Sequence, residues 1–299
     1  MNILLTGSTG LIGSALSDYL KEQGHYIYPL YRNPTSTKLH YWYPEEDRIH
    51  LDDKIKIDVV IHLAGENIAD SRWSQKKKDA ILNSRVKGTR LLAEKISGLK
   101  NKPALFISGS AIGYYGDTGD NIVNEDSDRG TGFLSDISVK WEAETQAVED
   151  AGIRTIHMRT GIVLSTKGGV LQKMLLPFKM GLGGIVGNGK QYMSWISIND
   201  VINIIDYMIN DDELSGPYNL VAPQPVTNFG FTKALGRTLH RPTVLPLPAF
   251  MARMLFGEMA DALLLSSSRV AATRLNELGY KFIDNELDQT LSSLLRNKN

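Results

Sequence analysis

The sequence predicts an α/β protein: a doubly wound parallel sheet with helices on both faces, followed by a smaller, mostly α C-terminal domain. Two observations predict it. Strand-like apolar runs at residues 3–5, 27–31, 59–63, 104–108 and 155–159 alternate with helical patterns at 11–23, 75–97 and 133–151. The first run also breaks at once into a glycine-spaced turn that opens a helix, Thr6-Gly7-Ser8-Thr9-Gly10-Leu11-Ile12-Gly13.

The elements follow in order. Ile12, Ala15, Leu16, Tyr19 and Leu20 recur at helical spacing, and Gly24 stands where a left-handed residue ends a helix. The second strand follows directly. Residues 35–53 are aromatic and irregular, and no element is assigned to them. The run Lys76-Lys77-Lys78 reads as a solvated helix face. After Gly161 the texture changes: Gly181, Gly183, Gly184, Gly187 and Gly189 crowd into nine residues, a flexible or backbone-exposing loop. A helix over 201–209 follows, with Asn199 or Asp200 expected as its cap. Beyond Pro217, Pro223, Pro225, Pro242, Pro246 and Pro248 break the chain into short helices. The expected division is therefore 1–216, with 165–195 contributing to a substrate lid, and 217–299 as the second domain.

Composition excludes several classes. Acids and bases balance at 33 each, which argues against a nucleic-acid surface. There is no cysteine, so disulfides, thiolate metal sites and cysteine nucleophiles are impossible. The 6 histidines are scattered with no metal-ligand spacing, so no metal is expected. No apolar run is long enough to span a membrane, and a strand at residue 2 leaves no room for a leader. A cytoplasmic location is expected.

The glycine turn carries the chemistry. Backbone N–H groups at a helix N-terminus favour a pyrophosphate, and the macrodipole adds to the attraction. Gly7 allows the turn, Gly10 lets phosphates approach, and Gly13 lets helix and strand pack closely; Thr9, Leu11 and Ile12 complete the cradle. NAD-specific folds place an acid at the end of the second strand. Here that place reads Tyr31-Arg32-Asn33, with no acid between Glu22 and Glu45. A guanidinium pairs with a 2′-phosphate where a carboxylate would repel it, so NADP(H) is expected, with Arg32 as its reader. An ordinary surface arginine is the plain alternative. Glu66 and Arg72, just past a strand end, are expected cofactor contacts or else a structural salt bridge.

With these motifs the chain resembles the short-chain dehydrogenase/reductase superfamily, in its extended, epimerase-like Rossmann branch. The residues behind the resemblance are the glycine turn, His62-Leu63-Ala64-Gly65, Gly88-Thr89, Ser108-Gly109-Ser110-Ala111 and Arg159. Within it the chain is similar to a subgroup of epimerase family, NADP-binding proteins with a C-terminal domain of unknown function. That similarity rests on Glu66-Asn67-Ile68, Arg72-Trp73, Ser84-Arg85-Val86, Gly113-Tyr114-Tyr115-Gly116, Trp141-Glu142, Ser194-Trp195-Ile196, Asn219-Leu220-Val221-Ala222-Pro223 and Gly257-Glu258-Met259. It implies cofactor contacts from Leu63, Ala64, Gly65 and Arg159, and Ser110 as the serine that meets the reacting oxygen.

The superfamily's Tyr-x-x-x-Lys pair is not matched. Lys140 takes the lysine position, but Asp136 stands where the tyrosine would be. An Asp four residues before a Lys is also a common surface ion pair. Tyr114 and Tyr115 are the alternative acid/base groups. Arg85 replaces a usual Asn and is expected as a phosphate or ribose contact, or as the buried partner of an acid. The expected function is an NADP(H)-dependent oxidoreductase or epimerase acting on a small hydroxyl or carbonyl substrate. A sugar nucleotide would draw on Lys173, Lys179, Lys190, Arg237, Arg241 or Arg253. The alternative is a non-catalytic NADP(H) sensor. Oligomeric state is left open.

Overall fold

The computed structural model describes residues 1–32, 40–52 and 54–296. In chain order the strands are β1 (Asn2–Thr6), β2 (Tyr26–Leu30), β3 (Tyr41–Tyr43), β4 (Arg48–His50), β5 (Val59–His62), β6 (Leu105–Ala111), β7 (Arg154–Thr160), β8 (Ile162–Leu164), β9 (Tyr192–Met193), β10 (Trp195–Ser197), β11 (Gly216–Leu220) and β12 (Val226–Thr227). The α-helices are α1 (Leu11–Glu22), α2 (Gln75–Ser97), α3 (Phe133–Ala143), α4 (Gln146–Asp150), α5 (Gly169–Lys179), α6 (Ile198–Asn210), α7 (Asn228–Leu239), α8 (Ala249–Phe256), α9 (Thr273–Glu277) and α10 (Leu287–Arg296).

Six parallel strands form the main sheet in the order β11-β7-β6-β5-β1-β2. Side chains alternate across a strand, and here both faces are apolar. Ile3, Leu5, Val59, Ile61, Leu105 and Ile107 join α1 and α6 in one core; Leu4, Val60 and Phe106 join α2 and α4 in the other. Burial on both sides is why these strands read as continuous apolar runs. The strand order reverses between β1 and β5, and that switch point sets the ligand crevice.

Several expectations are corrected. The helix expected over 133–151 is two helices, with Thr145 between them turning its hydroxyl back to the Glu142 carbonyl. The unassigned region holds a β3–β4 hairpin whose Trp42 is buried against the α2 core; Asn33 lies outside the described residues. Ser197, not Asn199 or Asp200, caps α6, by accepting from the Asp200 amide. The Asp200 carboxylate instead accepts from the Ile283 and Asp284 amides, both at 2.9 Å, and so holds the C-terminal segment. The division expected after residue 216 would cut β11 from its partner β7. The lysine run is a solvated face only at Lys76, which is exposed: Lys77 sits between Glu66 and Asp70, and Lys78 bonds Glu258.

The C-terminal helices α7 and α10 pack with α5 in a third core around Leu171, Phe178, Phe231, Leu235 and Leu291. The glycine loop is pinned rather than free. A Cβ on Gly184 would lie 1.6 Å from the Leu245 carbonyl oxygen, so only glycine lets these backbones meet. Among the described residues no helix is long and apolar enough to cross a membrane.

Candidate functional site

At the switch point the ends of β1 and β5 touch. Gly7 has φ +70°, and a Cβ there would lie 2.8 Å from the Leu63 carbonyl carbon. A Cβ on Gly13 would lie 2.1 Å from the Gly7 oxygen. Both glycines are therefore sterically required. Gly10 is the N-cap of α1, and no side chain caps that helix. Helix starts leave orphan N–H donors, so Thr9, Leu11 and Ile12 present a cradle that fits an anion, while the Gly10 amide closes the turn by donating to the Gly7 carbonyl at 2.9 Å. The structure brings Leu63, Ala64 and Gly65 beside it. Arg32 is exposed, just beyond the end of β2.

A buried relay braces this turn. Thr6 Oγ1 accepts from the Leu63 and Ala64 amides, both at 3.1 Å. Its own proton is then directed to His62 Nδ1 at 2.7 Å, and His62 Nε2–H donates to Thr89 at 2.9 Å. Burial, with the Arg85 charge adding to it, pushes the His62 pKa down to about 3, so the ring is neutral.

The second half of the site lies at the end of β6. Ser110 is buried and donates to Glu142 Oε1 at 2.6 Å. Arg159 clamps the same carboxylate, Nε to Oε1 at 2.9 Å and Nη2 to Oε2 at 2.8 Å. Burial would push the Glu142 carboxyl up, but the hydrogen bonds and charge of Arg159 outweigh it and hold the group below its ordinary value. Arg159 Nη1 also donates to the Tyr115 hydroxyl at 3.0 Å and to the Glu125 carbonyl. Tyr115 donates onward to Asn219 Oδ1 at 2.8 Å, and Asn219 Nδ2 donates to the Ala271 carbonyl at 2.8 Å. The Glu125 carboxylate closes the network by accepting from the Asn219 and Thr273 amides.

This geometry sorts the expected residues. Tyr115 is consumed by Arg159 and Asn219. The Tyr114 hydroxyl bonds no described residue, and its ring lies 3.5 Å below the Arg159 guanidinium. Asp136 and Lys140 are corrected as a catalytic pair. The inner face of α3 carries Ser138, Trp141 and Glu142, with Trp141 against Gly109 of β6. At 3.6 residues per turn, Asp136 and Lys140 fall on the exposed outer face, where Asp136 pairs with Arg129 and not with Lys140. Arg159, expected as a cofactor contact, directs its donors to Glu142, Tyr115 and the Glu125 carbonyl. Glu66 is engaged by Lys77 at 2.6 Å. Arg72 is exposed, beside Gly257 of the C-terminal segment. Arg85 lies against Gly65, its Nη1 donating to the Glu66 and Ile81 carbonyls and its guanidinium 5.0 Å above the Trp141 ring.

Sequence reasoning missed Glu142, Glu125 and the Thr6–His62–Thr89 relay. The signal for Glu142 was present: Trp141-Glu142 and Asn219 lie in motifs that carried the resemblance, without an assigned role. Thr6, His62 and Thr89 likewise lie in those motifs without an assigned role, and Glu125 alone lies in none of them.

Residues 3–220 match the model of the NAD dependent epimerase/dehydratase family, and residues 247–294 match a domain of unknown function (DUF1731). An epimerase family protein of Mycobacterium bovis is 40% identical over 97% of this chain and 96% of its own. The epimerase family protein YfhF of Bacillus subtilis is 38% identical over 100% of this chain and 99% of its own. The crystal structure of the human epimerase family protein SDR39U1 with NADPH superposes with a TM-score of 0.92 at 32% identity, covering 99% of this chain and 100% of that one.

Proposed function

The chain belongs to the NAD dependent epimerase/dehydratase family, and from that premise we propose that it is a cytoplasmic NADP(H)-dependent oxidoreductase or epimerase acting on a small hydroxyl- or carbonyl-bearing substrate. The observation that carries this reading is the glycine cradle: two positions that admit only glycine, an uncapped α1, and Arg32 at the same sheet edge. The pyrophosphate would rest on the amides of Thr9, Leu11 and Ile12, with Gly10 leaving room for its approach, beside Leu63, Ala64 and Gly65. Arg32 would hold the 2′-phosphate, and Arg85 would flank the turn at Gly65. The human relative crystallised with NADPH supports the choice of cofactor. When bound, the nicotinamide supplies the redox chemistry. Ser110 would meet the reacting oxygen, and Tyr114 is the phenol whose hydroxyl no described residue engages.

The test is calorimetry with NADPH and NADH. A charge-assisted Arg–phosphate contact contributes about 1.5–3 kcal/mol. NADPH is therefore expected to bind at least about 10-fold tighter than NADH, and Arg32→Ala to erase most of that difference. Binding of neither dinucleotide overturns the reading, and equal binding overturns the NADP(H) preference. Of the cations a sugar nucleotide would draw on, Arg237 pairs with Asp288, Arg253 with Asp261 and Arg241 bonds the Lys179 carbonyl, while Lys179 and Lys190 are exposed.

One observation favours a second reading, a dinucleotide-binding redox sensor: the inner face of α3 offers no Tyr-x-x-x-Lys pair. Tight dinucleotide binding, with neither oxidation of NADPH by a broad carbonyl panel nor reduction of NADP+ by a broad alcohol panel, would support it. Turnover abolished by Ser110→Ala would exclude it.

A further inference from the structure

We propose that Glu142 is a positioning residue that makes Ser110 a hydrogen-bond acceptor toward the cleft, so that the site takes a ligand oxygen bearing a proton, an alcohol, and not a bare carbonyl. The inference rests on Ser110 meeting the reacting oxygen, and it narrows the substrate class.

A serine hydroxyl has one proton and two lone pairs. At 2.6 Å the Ser110 and Glu142 oxygens share one proton, and an ionised carboxylate has none to give. Which oxygen owns it is decided by Arg159, which bonds both carboxylate oxygens and is permanently charged. Glu142 therefore stays ionised, and Ser110 must donate to it. The clamp cannot swing aside. Arg159 is held by the Tyr115 hydroxyl, the Glu125 carbonyl and the Tyr114 ring, and its side chain is only 5% exposed. Ser110 thus turns only lone pairs outward. A hydroxyl can donate to them. A ketone or aldehyde oxygen would meet them acceptor to acceptor and lose its hydrogen bond on leaving water. The other titratable groups packed around the pair are Glu125, Tyr115 and His157. Burial lowers the pKa of His157, so it adds no cation there.

The absence of cysteine supplies the test. Ser110→Cys installs a single thiol at this proton site, and its titration is followed by thiolate absorbance and by alkylation with iodoacetamide. The Glu142 charge disfavours a thiolate, so the midpoint is expected at least one pH unit above the ordinary cysteine value of about 8.5. Adding Glu142→Gln should lower it by one unit or more and speed alkylation at pH 8 roughly 10-fold. A thiol midpoint at or below the ordinary value, or one that Glu142→Gln leaves in place, overturns the proposal. Because burial alone also raises a thiol, the shift on losing the carboxylate is what decides, and if Glu142→Gln fails to fold beside Ser110→Cys, Glu142→Ala supplies the same comparison. Saturating NADPH tests the underlying reading separately, because it should protect the introduced thiol from alkylation. A raised midpoint without protection overturns the placement of Ser110 at the reacting centre, and the alcohol assignment with it. Protection without a raised midpoint leaves the cleft standing and overturns the role of Glu142.

Discussion

Replacing Arg159 with leucine tests the electrostatic centre of the site. The side chain makes two contacts with Glu142, at 2.9 and 2.8 Å, and one with Tyr115 at 3.0 Å. Both charged side chains are nearly enclosed, at 5% and 13% exposure. Removing one partner of such a pair leaves the other charge buried without compensation, which costs about 3–5 kcal/mol. Equilibrium urea unfolding at pH 7.5 measures the loss. The pH dependence adds a second check. In the wild type, burial raises the Glu142 pKa, but Arg159 overrides this and holds it below its unfolded value. The pair's stabilisation is therefore full above the ordinary carboxylate range and is lost as pH falls through the lowered folded pKa. In Arg159→Leu, burial, the largest influence on this carboxyl, is opposed only by the smaller effects of the Ser110 hydrogen bond and His157. The carboxyl then sits above its unfolded value, and its destabilisation is relieved by protonation as pH falls. The gap between the two proteins should narrow at pH 5. A loss below about 1 kcal/mol at pH 7.5, or a gap that holds or widens in acid, would refute the reasoning. Replacing Glu142 and Arg159 together with leucine should recover part of the loss, because no charge is then left alone.

Three further outcomes are expected. His62, held at a pKa of about 3 by burial, binds no proton in the folded state where an unfolded histidine would. Its contribution is whole above about pH 6.5 and drains by up to about 1.4 kcal/mol per pH unit toward the folded value; denaturation midpoints of His62→Gln across pH 4–7 should fall less steeply than those of the wild type. Gly13→Ala forces a methyl to within 2.1 Å of the Gly7 oxygen. It should cost about 1–3 kcal/mol by thermal denaturation and weaken NADPH binding more than the same substitution at the open position Gly152. Gly184→Ala places a methyl 1.6 Å from the Leu245 oxygen; limited proteolysis should then cut residues 181–189 faster than in the wild type, and equal rates would show that the seam yields easily.

The sheet was legible because its determinants are local. Apolar runs, a glycine turn and helical periodicity are written in consecutive residues, and α1, α2 and β5 fall within a residue or so of where the pattern puts them. The cradle was legible for the same reason: Gly7, Gly10 and Gly13 are neighbours in sequence. The Ser110 cluster was not, because Glu142, Arg159 and Asn219 come from α3, β7 and β11 and meet only through the sheet's register. The face of α3 misled as well. A four-residue spacing between Asp136 and Lys140 says that two side chains share a face, but not which face is inward. Trp141, packed on Gly109, settles that rotation.

The path from Ala271 through Asn219, Tyr115, Arg159 and Glu142 to Ser110 makes the last quarter of the polypeptide a structural guarantor of a polar cluster that ends in the first half. A polypeptide ended after residue 220 would retain every strand of the main sheet. It would nonetheless strip the Asn219 amide of its acceptor and Glu125 of the Thr273 donor. The two matched family segments are thus unequal lodgers in one building: the amino-terminal one lends its walls, and the carboxy-terminal one supplies the keystone without which the inner polar arch has no closing stone.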